Sequence, residues 1–192
     1  MSRPITIALH KPYGMLSQFT SPPGKRSLRE LEILPHDVYP IGRLDEDSEG
    51  LLLLTNDNSL KTSLLDPNHG HEREYLAQVE RCPDSKKLEL LAEGIIIQGR
   101  RTKPAHATLV EEEPRLFERS LSIRYRKNVP TAWIRIILTE GKNRQVRRMT
   151  AALGHPTLRL IRIRFGTILL GDLAPGEWRA LSHDELRRLK RS

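Results

Sequence analysis

Acidic side chains are concentrated in the polar segment 42–50, which reads GRLDEDSEG. Asp45, Asp47 and Glu49 stand at alternate positions and a glycine follows, as at the start of a D-x-D-x-x-G calcium loop. The twelfth position from Asp45 is Asn56, where such a loop needs a bidentate glutamate, so the spacing argues against calcium. The segment is therefore either a solvated acidic turn or the source of a carboxylate that acts as a nucleophile or general base.

A run of basic side chains forms the second candidate site. Seven of them, with no acidic residue between, lie at Lys142, Arg144, Arg147, Arg148, Arg159, Arg162 and Arg164. The whole chain has 32 Lys and Arg against 24 Asp and Glu, a net charge of +8 and a sequence pI near 9.9. A solvated charged face is the alternative, but clustering of one sign is typical of proteins that bind nucleic-acid phosphates.

The aromatic content limits the kind of nucleic acid. Three Phe, four Tyr and two Trp are too few for a broad stacking platform, so we expect a folded RNA and not an extended single strand. Because RNA repels carboxylates, an acidic segment that faces RNA is expected to do chemistry.

The elements that must position these residues alternate between short strands and short helices. Strands are predicted for residues 5–11, 51–55, 74–79, 105–110, 131–140 and 158–165, and helices for residues 58–65, 85–92, 144–153 and 183–189. Residues 15–40 are expected to be irregular and exposed. The pattern predicts an α+β fold with a mixed, mainly antiparallel central sheet flanked by helices. We expect one domain over residues 1–192, or two subdomains that share one sheet.

The helix predicted for residues 144–153 has two distinct faces. Apolar or small side chains recur at positions 146, 149, 150 and 153, which predicts a core-facing side. Arg144, Arg147 and Arg148 share another face, with Asn143 as the expected N-cap. One helix is thus predicted to pack inward and to hold three guanidinium groups for phosphate or carboxylate binding.

Four segments, in order, resemble motifs of the RsuA-like family of ribosomal pseudouridine synthases. Residues 42–53 (GRLDEDSEGLLL) are similar to the catalytic signature, and residues 11–14 (KPYG) to the opening K-P-x-G motif. Tyr75 matches the tyrosine expected about thirty residues after the aspartate, and residues 140–149 (EGKNRQVRRM) contain the Q-[IV]-R core of the closing motif. The resemblance runs from about residue 6 to residue 181.

The resemblance implies roles for five residues. Asp45 is the implied catalytic carboxylate, and Arg147 the residue that pairs with it and keeps it ionised, although a plain phosphate contact is the alternative for Arg147. Tyr75 would stack on the uracil, the alternative being an ordinary half-buried strand tyrosine. Arg43 would hold the nucleotide that must leave its stack, and Lys11 would be structural or bind phosphate. RNA contacts are further expected from Lys142, Arg144, Arg148, Arg159 and Arg162.

The resemblance also sets expectations for substrate and cofactors. Many members carry Lys where this chain has Arg73, and most begin with an S4 RNA-binding domain that we do not expect here. Its absence resembles the RluE-like branch, which implies large-subunit (23S) ribosomal RNA as partner. The isomerisation is redox-neutral, so no cofactor is expected. His69 and His71 have no further ligand nearby, so no metal is expected either.

Other features bear on location and on rival functions. A single cysteine, Cys82, fits a reducing cytoplasm, and no apolar run is long enough to cross a bilayer, so we expect a cytoplasmic protein that makes no membrane contact. We also expect a monomer. The main alternative is a non-catalytic RNA-binding or ribosome-assembly protein. A DNA-binding regulator is disfavoured because no helix-turn-helix is apparent.

Overall fold

The computed structural model describes residues 3–31, 34–35, 37–119, 121–123 and 129–191. The chain divides into two compact units. The first unit consists of Met1–His71 together with Arg162–Ser192, and the second of Glu72–Ile161.

Short strands make up most of the regular structure. In chain order they are β1 (Thr6–Lys11), β2 (Met15–Leu16), β3 (Arg26–Ser27), β4 (Tyr39–Pro40), β5 (Glu49–Thr55), β6 (Arg73–Glu80), β7 (Ile96–Ile97), β8 (Arg100–Arg101), β9 (Ala105–Leu109), β10 (Thr131–Leu138), β11 (Thr157–Phe165), β12 (Ile168–Leu169) and β13 (Trp178–Ala180).

The α-helices among the described residues are α1 (Asn58–Leu65), α2 (Ser85–Glu89), α3 (Gln145–Ala152) and α4 (His183–Leu189). Two short 3₁₀ helices cover Leu28–Glu30 and Leu90–Glu93. None of the described helices has both the length and the apolar character that crossing a bilayer would require.

In the first unit, β1 lies between β13 and β5 and is antiparallel to both. All residues of β1 and β5 are buried, which agrees with the leucine-rich sequence of β5. The polar ends of the helices are closed by side chains: Asp57 accepts a hydrogen bond from the Leu60 backbone at the start of α1, and Ser182 and Glu185 form a capping box at the start of α4. The segment 42–48 leads directly into β5.

In the second unit, β10 lies between β6 and β9 and is again antiparallel to both. The α3 helix buries Val146, Met149 and Thr150, so its predicted core face is confirmed. The Thr150 hydroxyl hydrogen-bonds the hydroxyl of Thr157 at 2.7 Å, which ties α3 to the first residue of β11.

The predicted α+β fold with a mixed, mainly antiparallel sheet is confirmed. Of the strand pairs described, only β2 with β3 is parallel. Apart from the helix predicted for residues 85–92, the predicted strands and helices outside residues 15–40 are present, and their ends coincide with the prediction or differ from it by one or two residues. The predicted helix 85–92 is instead α2 followed by a 3₁₀ helix.

Two local predictions are wrong. Residues 15–40 are not exposed throughout, because Met15, Leu28 and other apolar side chains of this aperiodic segment reach the core. Asn143 does not cap α3. Arg144 occupies the N-cap position in a left-handed conformation (φ 50°), so it lies before the helix, and the side-chain oxygen of Gln145 accepts the backbone hydrogen bond of Lys142 instead.

Gly94, which follows the second 3₁₀ helix, is a position that only glycine can occupy. Its φ of 73° and ψ of 139° fall in a region that other residues avoid, and a Cβ atom would lie 2.4 Å from the carbonyl oxygen of Thr102. Gly99 has almost the same φ, 74°, but a Cβ atom there would meet nothing within 4 Å.

We therefore expect Gly94→Ala to destabilise the protein by at least about 3 kcal/mol, and Gly99→Ala by about 1 kcal/mol, because only the first adds a backbone clash to conformational strain. Urea unfolding of both variants measures the difference. Equal losses of unfolding free energy would mean that the backbone at Thr102 moves away from the added Cβ atom at no cost.

Candidate active site

The backbone on both sides of Asp45 is anchored by hydrogen bonds. On one side, the hydroxyl of Ser17 accepts from the Leu44 amide (3.0 Å) and donates to the Leu44 carbonyl (2.8 Å). On the other, the Glu46 carbonyl accepts from the Gly14 amide at 2.9 Å. The half-buried Asp45 is therefore presented from a short segment whose two neighbours are fixed to residues about thirty positions earlier.

The ammonium group of Lys11 is hydrogen-bonded to this segment. The side chain is fully buried, and its Nζ donates to the carbonyls of Pro12 (2.8 Å), Met15 (2.6 Å) and Glu46 (3.4 Å). Burial lowers the pKa of Lys11 to about 8, although attraction to the carboxylates of Glu49, Asp47, Asp45 and Glu46 opposes the shift. Lys11 is thus a structural cation, and the expectation that it contacts RNA phosphate is wrong.

The first unit places the two predicted arginines differently. Arg43 is exposed, one residue before the anchored Leu44. Arg162 is only 3% exposed; its Nε donates to the Leu51 carbonyl at 2.7 Å and its guanidinium lies 5.5 Å from the Phe165 ring centroid. Arg162 therefore does not belong to an exposed basic surface, and we assign it no phosphate contact.

In the second unit, Tyr75 and Arg147 lie on different elements. Tyr75 is on β6, opposite Ile136 of β10, and is 8% exposed. Arg147 is half-buried on α3, and its Nη1 donates to the carbonyl of Thr157 at 3.1 Å. That contact fixes the guanidinium against the start of β11.

Glu140 organises the turn between β10 and α3. Its carboxylate accepts from the backbone of Lys103 (2.8 Å) and the amide of Gln145, and it forms an ion pair with Lys142 at 2.9 Å. Burial alone would raise the pKa of Glu140, but hydrogen bonds from these three partners hold it below its usual range. Lys142 is therefore exposed but already paired.

The remaining predicted arginines divide into exposed and buried positions. Arg144 is exposed, whereas Arg148 is half-buried and donates to the side-chain oxygens of Gln98 and Asn143. Arg159 is 8% exposed and donates to the carbonyl of Phe117 at 2.8 Å. The basic run is thus not one exposed surface, and Arg159, like Arg162, is assigned no phosphate contact.

The sequence interpretation missed Ser17 and Glu140. Ser17 lies in an aperiodic segment where nothing distinguishes a structural serine from a solvent-exposed one. Glu140 had a detectable signal, since it is the last carboxylate before a long stretch of purely positive charge. Among the described residues, no group of three or more His, Cys, Asp and Glu side chains is placed to hold a metal ion.

The lowered pKa of Lys11 predicts how stability depends on pH. The folded chain binds the Lys11 proton more weakly (pKa about 8) than the unfolded chain, whose lysines have their ordinary pKa of 10.5. The burial penalty therefore disappears as pH rises from about 8 towards 10.5, and this group makes the protein more stable there.

We expect the unfolding free energy of the wild type, relative to Lys11→Met, to increase by roughly 1.4 kcal/mol between pH 7 and pH 9. Urea unfolding of both proteins at each pH cancels the titration of all other groups. A difference that stays constant or falls with pH would contradict the shifted pKa.

Known proteins resemble this chain in sequence over most of its length. A family model described as RNA pseudouridylate synthase matches residues 5–152. The chain is 50% identical, over 90% of its length and 93% of the relative's, to a ribosomal large subunit pseudouridine synthase E of Xanthomonas campestris pv. campestris. It is 45% identical to a protein of the same name from Vibrio parahaemolyticus, over 91% of this chain and 73% of that one.

A solved structure has the same fold over nearly the whole chain. A crystal structure of a pseudouridylate synthase superimposes with a TM-score of 0.80 and 26% identity, covering 98% of this chain and 75% of the other. The family model and the relatives together show that the chain belongs to the RNA pseudouridylate synthase family.

Proposed function

We propose that this protein isomerises a uridine of large-subunit (23S) ribosomal RNA to pseudouridine, with Asp45 as its catalytic carboxylate. The observation that carries the proposal is the anchoring of Leu44 and Glu46, which holds Asp45 in one backbone conformation at the centre of the family's signature. A catalytic group must be held close to its productive geometry, and anchoring on both sides supplies this. The alternative is a non-catalytic RNA-binding protein on the same fold.

The reaction needs a carboxylate but no redox partner. The bond between N1 of uracil and C1′ of the ribose is cleaved, the base rotates, and C5 bonds to C1′. The proton on C5 is lost and N1 gains one, so the product has the same mass as the substrate. A carboxylate can attack the sugar or the ring, or remove a sugar proton, and Asp45 is proposed for this step.

Three other residues complete the proposed site. Arg147 is proposed to pair with Asp45 through its planar guanidinium. Tyr75 stacks on the uracil and assists the removal of the C5 proton. Arg43, exposed beside the anchored segment, holds the nucleotide after its base has left the stack.

The names of the relatives and the charge of the chain support the proposed substrate. The Xanthomonas and Vibrio relatives are named for the large ribosomal subunit, which supports 23S RNA as the partner. Exposed or half-buried cations at Lys142, Arg144 and Arg148 are proposed to contact its phosphates. We propose that the protein acts in the cytoplasm as a monomer, where its exposed Cys82 stays reduced.

We expect Asp45→Asn to abolish isomerisation and to leave RNA affinity within about threefold of wild type, because the change removes a carboxylate but no phosphate contact. Release of tritium from RNA labelled at C5 of uridine measures the reaction, since each isomerisation frees one C5 hydrogen. Asp47→Asn, the same change two residues later, is the matched control and should keep most activity.

Two outcomes would count against the proposal. Full tritium release by Asp45→Asn would exclude Asp45 as the catalytic carboxylate. If wild-type protein bound ribosomal RNA but released no tritium, and if pseudouridine maps of 23S RNA were identical in cells with and without the gene, the non-catalytic alternative would be correct.

Substitution of arginine by lysine distinguishes the role proposed for Arg147 from that of Arg148. A lysine keeps the charge but cannot form the two-pronged contact that we propose between Arg147 and Asp45. Arg147→Lys should therefore lose at least about tenfold in single-turnover rate at saturating RNA, roughly 1.4 kcal/mol at the barrier. Arg148→Lys should lose far less. Equal, mild effects at both positions would reduce Arg147 to an ordinary phosphate contact.

A further inference from the structure

A short hairpin in the second unit has no role in the site described above. Strands β7 and β8 pair antiparallel, with Ile96 opposite Arg101 and Ile97 opposite Arg100. The two turn residues, Gln98 and Gly99, both have positive φ (50° and 74°), which is the tight turn preferred by two-residue hairpins. The hairpin therefore consists of two strands of two residues each, joined by a sharp turn that fixes which residues lie opposite each other.

The base of this hairpin is fixed by four hydrogen bonds. The Thr102 amide donates to the Ile95 carbonyl (2.9 Å), and the Ile95 amide to the Thr102 hydroxyl (3.1 Å). The guanidinium of Arg101 donates to the carbonyls of Glu93 (3.2 Å) and Gly94 (2.8 Å). Arg101 is thus used to hold the base.

The tip of the hairpin is joined to α3 through Arg148. One nitrogen of its guanidinium donates to the side-chain oxygen of Gln98 in the turn, and the other to that of Asn143 at 2.7 Å. Both acceptors are neutral amides, so the positive charge of Arg148 is not cancelled by them. The hairpin and the start of α3 are therefore held together around an uncancelled cation.

Arg100 and Ile96 are among the exposed side chains of the hairpin. Arg100 is exposed and makes no side-chain hydrogen bond or ion pair with any residue that the structure describes. Ile96, which is 65% exposed, pairs with Arg101 and therefore lies on the face of the hairpin opposite to Arg100. The hairpin thus presents a cation on one face and an apolar side chain on the other, and RNA offers partners for both, a phosphate and the apolar face of a ribose or base.

We propose that the β7–β8 hairpin is a separate RNA-contact element, in which Arg100 binds a backbone phosphate and Ile96 packs on a neighbouring ribose or base. The proposal rests on the proposed function, because it assigns the same RNA as the partner. It adds a segment outside the four family motifs to the RNA contacts proposed for Lys142, Arg144 and Arg148. Arg148 connects this hairpin to the start of α3.

The two contacts differ in their dependence on salt. A phosphate contact releases counterions, so its loss weakens binding and also flattens the plot of log affinity against log salt. An apolar contact releases none, so its loss weakens binding at every salt concentration by the same factor. Measuring affinity for a 23S RNA fragment over a range of salt concentrations therefore distinguishes the two side chains.

We expect Arg100→Gln to weaken binding about fivefold near 0.1 M salt and to reduce the slope by about 0.7 to 0.9. Ile96→Ser should weaken binding about threefold with an unchanged slope. Arg188→Gln is the matched control: Arg188 is exposed on α4, without a side-chain hydrogen bond or ion pair in the described part of the chain, and its loss should change affinity less than twofold. Circular dichroism verifies that each variant is folded.

Three results would overturn the hairpin proposal. The first is wild-type affinity and salt slope in Arg100→Gln. The second is an equal loss of affinity in Arg188→Gln, which would indicate unspecific electrostatics. The third is a loss seen only on assembled ribosomal particles, which would indicate a protein partner. Tritium release by wild type in the same preparations separates these results from a failure of the proposed function. If wild type isomerises uridine and the hairpin variants bind RNA as tightly as wild type does, only the hairpin contact is refuted.

Discussion

A fully buried ammonium group needs hydrogen-bond acceptors, and Lys11 has three backbone carbonyls as acceptors together with the electrostatic attraction of four carboxylates. The same cation makes it possible to gather the acidic groups of segment 42–50 in one place, since it offsets their mutual repulsion. Lys11 lies on β1, whose pairing with β5 places it opposite Gly50, the last residue of that segment. The geometry of Asp45 thus depends on a charge that never meets solvent.

The basic residues of the second unit perform three different tasks. Arg159 is buried and bonded to a carbonyl, Lys142 is paired with Glu140, and Arg148 joins two elements through neutral amides. A positive charge in a nucleic-acid-binding protein therefore cannot be assumed to contact phosphate. Its hydrogen-bond partners decide how much of the charge remains available to a ligand.

The sequence was sufficient for the fold class, for most elements and for the family. These predictions succeeded because strands such as β10 alternate regularly and because local signals such as the Ser182 capping box are strong. Ser17 and the left-handed Arg144 could not be predicted, since the first depends on a contact across 27 positions and the second on a backbone conformation that arginine rarely adopts. Burial of Arg159 and Arg162 was missed because basic side chains are usually exposed.

The two hydrogen bonds between Ser17 and Leu44 determine whether the segment around Asp45 becomes ordered when the chain folds or only when RNA binds. A short polar segment with free ends would sample many backbone conformations, and an incoming RNA would have to select one of them, at a cost of about 1 to 2 kcal/mol for each residue ordered. Here Ser17 holds both the amide and the carbonyl of Leu44, so that selection takes place when the chain folds. Under the proposed function, the free energy of RNA binding is then left for extracting the target base from its stack, the step for which a rigid site is most useful.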